Sequence, residues 1–147
     1  MSAHNSDKMV SVIIPAFNTA RWLPTLFDGL DSQTFRDFET IFIDDGSTDG
    51  TGALLDAYAA ARNGVRILHE PNTGVATARN KGVDAASGRY IVFIDADDTV
   101  SPFYLTDLFS LATSMDLDVG MCNGWRFCDK PGDMNDQPLV VRPKPES

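Results

Sequence analysis

This 147-residue sequence predicts an α/β fold, a mostly parallel sheet with helices on both faces, and three observations carry that expectation. Short apolar runs rich in Val, Ile and Phe alternate with segments of helical periodicity, the pattern of βαβ units. Polar turns follow three of those runs, at Pro15-Ala16-Phe17-Asn18, Asp44-Asp45-Gly46-Ser47-Thr48-Asp49 and Asp95-Ala96-Asp97-Asp98. In a parallel sheet all three fall at one end, the carboxyl end, where open α/β sheets bind their ligands.

The first strand is expected from Val10 to Ile14, stopped by Pro15. A helix follows with Pro24 in its first turn, where a missing N–H costs nothing, and with Leu23, Leu26, Phe27 and Leu30 as its apolar stripe. The second strand is expected from Phe38 to Ile43. Asp49 is placed to cap a helix that runs to about Arg62 and stops at Asn63-Gly64. A third strand from Val65 to His69 leads to the turn Pro71-Asn72-Thr73-Gly74. The next helix carries Val75, Ala78, Gly82, Val83 and Ala86 on one face and ends at Ser87-Gly88. Its small residues (Gly74, Ala76, Ala78, Gly82, Ala85, Ala86) predict a close approach to the sheet. The fourth strand is expected from Arg89 to Ile94 and reads as buried, being apolar at four consecutive positions. Ser101-Pro102 opens a helix striped with Leu105, Leu108, Phe109, Ala112 and Met115, and a fifth strand is expected from about Asp118 to Phe127.

Residues 1–127 are read as one domain, and 128–147, with four prolines, as a tail or truncated continuation. The composition, 43% hydrophobic and 22% charged, is that of a globular chain. A net charge of -9 argues against a nucleic-acid backbone as partner. No stretch is apolar enough to span a membrane, and residues 1–9 lack the core of a signal peptide. Cys122 and Cys128 form neither a disulfide framework nor a metal knuckle. Reduced thiols, and a cytoplasmic location, are the expectation.

Chemistry concentrates in the turns. Three carboxylates within Asp95-Ala96-Asp97-Asp98 repel and raise one another's pKa. A hard divalent cation such as Mg²⁺ or Mn²⁺ relieves that repulsion, and phosphate would bind through it. Asp44 and Asp45 are adjacent at a strand end where only one can cap. Phe17 is either core or a platform for a nucleobase. Arg79 falls within the apolar stripe of its helix and needs a partner, either a nearby carboxylate or a bound diphosphate, which guanidinium grips in bidentate fashion. His4 and His69 have no partner at a useful spacing, and His69 reads as a strand-end residue. Lys81 reads as a solvated charge.

In ordered combination these segments resemble the family 2 glycosyltransferases, of the Rossmann-like GT-A fold. The matching residues are Val10-Ser11-Val12-Ile13-Ile14-Pro15-Ala16-Phe17-Asn18, Ser32-Gln33-Thr34 and Asp44-Asp45-Gly46-Ser47-Thr48-Asp49-Gly50. Asn72-Thr73-Gly74, Ala78-Arg79-Asn80-Lys81-Gly82 and the Asp-x-Asp run at Asp95 follow, so that the likeness covers about Met9 to Phe127. It implies an inverting, metal-dependent hexosyltransferase. The donor would be a nucleotide-diphosphate sugar, a UDP-sugar if Asp45 accepts the N3–H of uracil. The cofactor would be Mn²⁺ or Mg²⁺ and the acceptor a glycan or lipid-linked molecule. The setting would be cell-surface polysaccharide synthesis, at the inner face of the membrane in the full-length protein. Carried over, Pro15, Ala16, Phe17 and Asn18 line the base pocket and Asp45 reads the base edge with Asp44 beside it. Arg79 lies near base or diphosphate, Asp95, Ala96 and Asp97 form the Asp-x-Asp motif, and Asp97 or Asp98 coordinates the metal. Thr19 stands where many relatives carry an acid. The resemblance also implies a general base from a later segment, and Asp129, Asp133, Asp136 and Glu146 sit in no acceptor-side motif. The chain therefore reads as the donor-binding half, with its catalytic base elsewhere.

Two rivals remain. Asp95-Ala96-Asp97-Asp98-Thr99 also matches the nucleophile motif of haloacid-dehalogenase phosphatases, with Asp95 as phosphoryl acceptor and Asp97 as acid, although that motif normally opens its fold. A catalytically silent nucleotide-sugar-binding module is the other.

Overall fold

The computed structural model describes residues 8–114. The chain divides into two compact units between Pro102 and Phe103. The first unit holds a four-stranded, all-parallel sheet in the order β3-β2-β1-β4, with β1 Val10–Ala16, β2 Phe38–Asp45, β3 Val65–Glu70 and β4 Tyr90–Phe93. Its helices are α1 Leu23–Asp31, α2 Thr51–Ala60 and α3 Val75–Ala85. The second unit carries α4 Tyr104–Ser114. The expected fifth strand, the 128–147 segment with its boundary at 127, both cysteines and Met115 lie outside the described residues, as do Asp129, Asp133, Asp136 and Glu146. No helix among the described residues is long and apolar enough to cross a membrane.

Strand alternation builds two cores. Phe42 points to one face, where Phe27 of α1 and Tyr58 of α2 meet it edge-on at 6.0 and 6.1 Å and stack on each other at 4.0 Å. Leu23, Leu26 and Leu30 are buried, as the stripe of α1 predicts. Asp31, at the end of α1, accepts from the Tyr58 hydroxyl at 2.8 Å and pairs with Arg62 at 2.6 Å, tying α1 to α2. Ile41, Ile43 and Ile13 point to the other face and pack on Ala78 of α3. The close approach expected of α3 is present. A Cβ on Gly82 would overlap Ile13 Cγ2 and lie 2.8 Å from Ile43 Cδ1.

Three expectations are corrected. Pro15 does not stop β1; it lies inside the strand, opposite Ile43. The carbonyl of Ile13 accepts from Ile94 N–H, so Ile13 turns its polar groups toward β4. Pro15, two residues on, faces the same side, beyond the last β1–β4 pair at Ile13 and Phe93. Its missing N–H is not needed there. Next, β4 is not a fully buried strand. It pairs with β1 alone among the described residues, and Ile91 and Phe93 are 39% and 47% exposed. Finally, Val75 and Val83 are exposed, and Ala78 and Gly82 alone are buried in α3. Smaller differences are boundary shifts: β2 and β3 run on to Asp45 and Glu70, and α2 ends at Ala60.

At the amino end of the sheet, Glu39 is buried and its Oε1 accepts from the Ser11 hydroxyl, the Ser87 N–H and the Ser87 hydroxyl at 2.7–2.9 Å. Burial alone would raise this carboxyl. Those hydrogen bonds, with Arg66 beside them, outweigh it and hold Glu39 below its usual range. This network pins the loop that leads into β4.

Candidate functional site

The carboxyl ends of β1 and β2 are in register, Ala16 opposite Asp44, and their turns are stitched together. Asn18 takes a left-handed backbone at φ 51°, a conformation its short polar side chain tolerates. Its N–H donates to Ser47 Oγ at 3.0 Å, and its Oδ1 accepts from Thr48 N–H at 2.8 Å and Asp49 N–H at 3.3 Å. Gly46, at φ +74°, makes the turn possible, since a Cβ there would sit 2.6 Å from Asn72 N. The N-cap of α2 is Gly50 rather than the expected Asp49, which stands one residue ahead of it and accepts from Thr51 N–H at 2.9 Å. The Thr51 hydroxyl contributes most to holding its carboxyl below the usual range. Pro15 and Ala16 are buried, whereas the ring of Phe17 is 48% exposed at the strand end. An exposed aromatic at that place is suited to stacking rather than to core packing.

Both acids at the end of β2 are buried, and both hold backbone. Asp44 Oδ1 accepts from Ser47 N–H at 3.1 Å. Asp45 accepts from Thr73 N–H at 2.9 Å and Gly74 N–H at 3.1 Å, closing the turn that enters α3. The expectation that only one of the two can cap is corrected, because strand alternation sends the two side chains to opposite faces and each holds a different turn.

After β4, Ile94 and Ala96 are buried and Asp95, Asp97 and Asp98 face out. A turn closed by Asp98 N–H on the Asp95 carbonyl at 3.0 Å folds the three acids together. One oxygen from each of Asp95, Asp97 and Asp98 lies within 4.8 Å of the others. Burial and then the charges of Asp95 and Asp97 push the Asp98 carboxyl up. Three hard oxygen donors under mutual repulsion fit Mg²⁺ or Mn²⁺. Arg79 finds its partner in Asp95 at 3.0 Å, which spans from α3 to the acid turn. The carboxylate partner considered in the sequence is therefore realised.

Two residues carry more than their sequence context suggested. Lys81 is not merely solvated but pairs with Glu70 at 3.0 Å. His69 has partners after all, with Nδ1 2.9 Å from Asp44 Oδ2 and Nε2 2.7 Å from Asp56 Oδ1. The available signal was register: His69 stands opposite Asp44 in the parallel pairing of β2 and β3.

The sequence pattern of "Glycosyl transferase family 2" matches residues 11–145. The "Uncharacterized glycosyltransferase YibD" of Escherichia coli (strain K12) is 42% identical over 124 residues, 84% of this chain and 36% of YibD. S. aureus TarS 1-349 in complex with UDP-GlcNAc is similar in structure, with a TM-score of 0.68, 28% identity, and cover of 74% of this chain and 32% of that one. The mannosyltransferase PcManGT from Pyrobaculum calidifontis, in complex with GDP-Man and Mn²⁺, has a TM-score of 0.67, 25% identity, and cover of 73% and 33%. The chain thus spans about a third of the length of each. A parallel α/β sheet with its acids gathered at the strand ends, and a family match over nearly the whole sequence, show that this chain belongs to glycosyl transferase family 2.

Proposed function

We propose that the described residues bind the donor of a glycosyl transfer, a uridine-diphosphate sugar, together with Mn²⁺ or Mg²⁺. In the whole enzyme, the sugar would pass with inversion to a glycan or lipid-linked acceptor in the building of cell-surface polysaccharide, at the cytoplasmic face of the membrane. The observation that carries this reading is the gathering of Asp95, Asp97 and Asp98, at the carboxyl end of the sheet that also bears the stitched turns of β1 and β2. Two nucleotide-diphosphate sugars, one with Mn²⁺, in the solved relatives support the donor class.

In this reading Phe17 offers its exposed face to the base, beside Pro15, Ala16 and Asn18. Asp45 has lone pairs left after its two backbone contacts and accepts from the base N–H, with Asp44 buttressing the turn. Arg79, with Asp95 and Ala96, borders the diphosphate. Asp97 and Asp98 would hold the cation, whose charge would stabilise a diphosphate leaving group. The acceptor-activating base is assigned to none of the described residues. The phosphatase reading gains no support, since Asp95 follows the fourth strand and is paired with Arg79.

Isothermal titration of UDP tests the reading in Mn²⁺ and in EDTA. Wild type binds more tightly in Mn²⁺, because diphosphate oxygens complete the cation's shell. Asp97→Ala loses that gain and matches wild type in EDTA. An equal loss in both buffers overturns the metal assignment. UDP that fails to bind wild type in either buffer overturns the donor-site reading.

A further inference from the structure

The geometry around His69 favours the charged ring. Ionised carboxylates only accept hydrogen bonds, and a neutral imidazole has a single N–H. Both ring nitrogens lie within hydrogen-bond distance of carboxylate oxygens, at 2.9 Å from Asp44 and 2.7 Å from Asp56. With both carboxylates ionised, the ring serves both contacts at once only as an imidazolium. Asp56 and then Asp44 push its pKa up from the usual value. These two, one from α2 and one from β2, are the charged groups that face it. On its own strand Glu70 is engaged by Lys81, and Arg66 by Glu39.

This cation stands at the outer end of a hydrogen-bond relay. Asp44, which takes one ring N–H on Oδ2, takes Ser47 N–H on Oδ1. Ser47 Oγ takes Asn18 N–H, and Asn18 Oδ1 takes the N–H groups of Thr48 and Asp49. A surface imidazole is thus linked, through one buried carboxylate, to the turns after β1 and β2. A Cβ on Gly52 would lie 3.0 Å from Asp44 Oδ2, so α2 passes close enough to keep the carboxylate in place.

We propose that His69, as an imidazolium bridging Asp56 and Asp44, is a positioning residue for donor binding, holding the residue 44–49 turn in the conformation the nucleotide requires. This rests on the donor-site reading above. A neutral ring has one N–H for two carboxylates, and in the tautomer that gives it to Asp56 the Asp44 carboxylate loses its donor, so the turn loosens as pH rises through the ring's pKa. The expected loss of nucleotide affinity is about three- to tenfold, the net worth of one ordinary hydrogen bond, since the imidazole is half-exposed.

The test uses the 147-residue chain and has two arms. The sequence has two histidines, His4 and His69, so nitrogen NMR of ¹⁵N-histidine protein, with His4→Ala for assignment, follows the ring directly. His69 should show a midpoint above the usual imidazole value, lowered by Asp56→Asn, and two protonated nitrogens below that midpoint. In the second arm, UDP with Mg²⁺ is titrated from about pH 6 to about pH 8.5, the range in which a histidine switches charge. The same series is run for Asp56→Asn, His69→Arg and His69→Gln. UDP's own phosphate ionises equally in all four, so differences between proteins are the readout. Wild type should weaken relative to His69→Arg across the ring's transition, and Asp56→Asn should weaken at lower pH, in step with its lowered midpoint. His69→Gln should run parallel to His69→Arg, displaced to weaker binding. A His69 midpoint at or below the usual imidazole value overturns the proposal, as does nucleotide binding that ignores the ring's titration. A wild type that binds no nucleotide while the ring titrates as stated overturns the donor-site reading itself.

Discussion

Asp44 and Asp45, neighbours in sequence, act on opposite faces of the sheet, and that difference sets what each substitution should do. Asp45→Ala strands the N–H groups of Thr73 and Gly74, which are its backbone partners in the turn before α3. Thr73 and Gly74 are themselves exposed, so water reaches the freed donors and the cost is the net worth of a hydrogen bond, about 0.5–1.5 kcal/mol, read as a lower urea midpoint. If Asp45 also accepts the N3–H of uracil, the same variant should erase a preference for UDP over CDP, because cytosine has no such proton. Calorimetry that finds CDP tighter on wild type would count against Asp45 as the base reader while leaving its capping role intact. His69 shows the converse case. A half-exposed side chain with no local signal meets two carboxylates because β2, β3 and α2 bring them to it.

At the scale of elements, α3 is the piece whose fit is tightest. Alanine is the better helix former than glycine by about 1 kcal/mol, so propensity alone predicts that Gly82→Ala stabilises. Packing predicts the opposite. The new methyl would overlap Ile13 and crowd Ile43, both fully buried and without room to move. Overpacking of that kind costs typically about 1–3 kcal/mol. The net expectation is destabilisation, read as a lower denaturant midpoint with an unchanged slope. Asp45 closes the turn before α3 and Arg79 reaches Asp95 from within it. A shift of this helix would therefore disturb both, and Gly82→Ala should weaken UDP binding as well as the fold.

For the whole molecule, ionisation sets the window of greatest stability. Asp31 and Glu39 are held below their usual ranges, Asp31 chiefly by Arg62 and Glu39 by hydrogen bonds that outweigh its burial. Their contributions are present above the unfolded pKa values and are lost as pH falls through the lower folded ones. His69 is raised, so its contribution is complete below its unfolded value and lost as pH rises through the folded one. The two limits together place maximal stability between about pH 5 and about pH 6.5. Chemical denaturation across pH should show that maximum, and Glu39→Gln should flatten its acid side. Asp98 works the other way. Its raised carboxyl reports strain at neutral pH, which a cation would relieve. Mn²⁺ should therefore raise the melting temperature of wild type, by mass action on the folded state, and should raise that of Asp97→Ala much less.

Much of this was legible before any coordinates. Alternating apolar runs and helical stripes determined the parallel α/β fold, the order of its elements and the end at which its polar turns collect. Periodicity is a local property, and a strand's direction is forced by the helices between strands. Gly82 and its small neighbours likewise announced a helix pressed against the sheet. Tertiary structure decided the rest, because it depended on what stands next to what. The apolar run of β4 could not say that it would have one neighbouring strand among the described residues, and Pro15 could not say that β4 ends before reaching it. Adjacent acids carried no mark of the faces they would serve until the register of β2 was set. The choice of Asp95 as the partner of Arg79, and the pairing of His69 with acids 25 and 13 residues away, followed from the packing of whole elements. Spacing along a chain encodes turns and stripes; contacts across a sheet exist only once the sheet has formed.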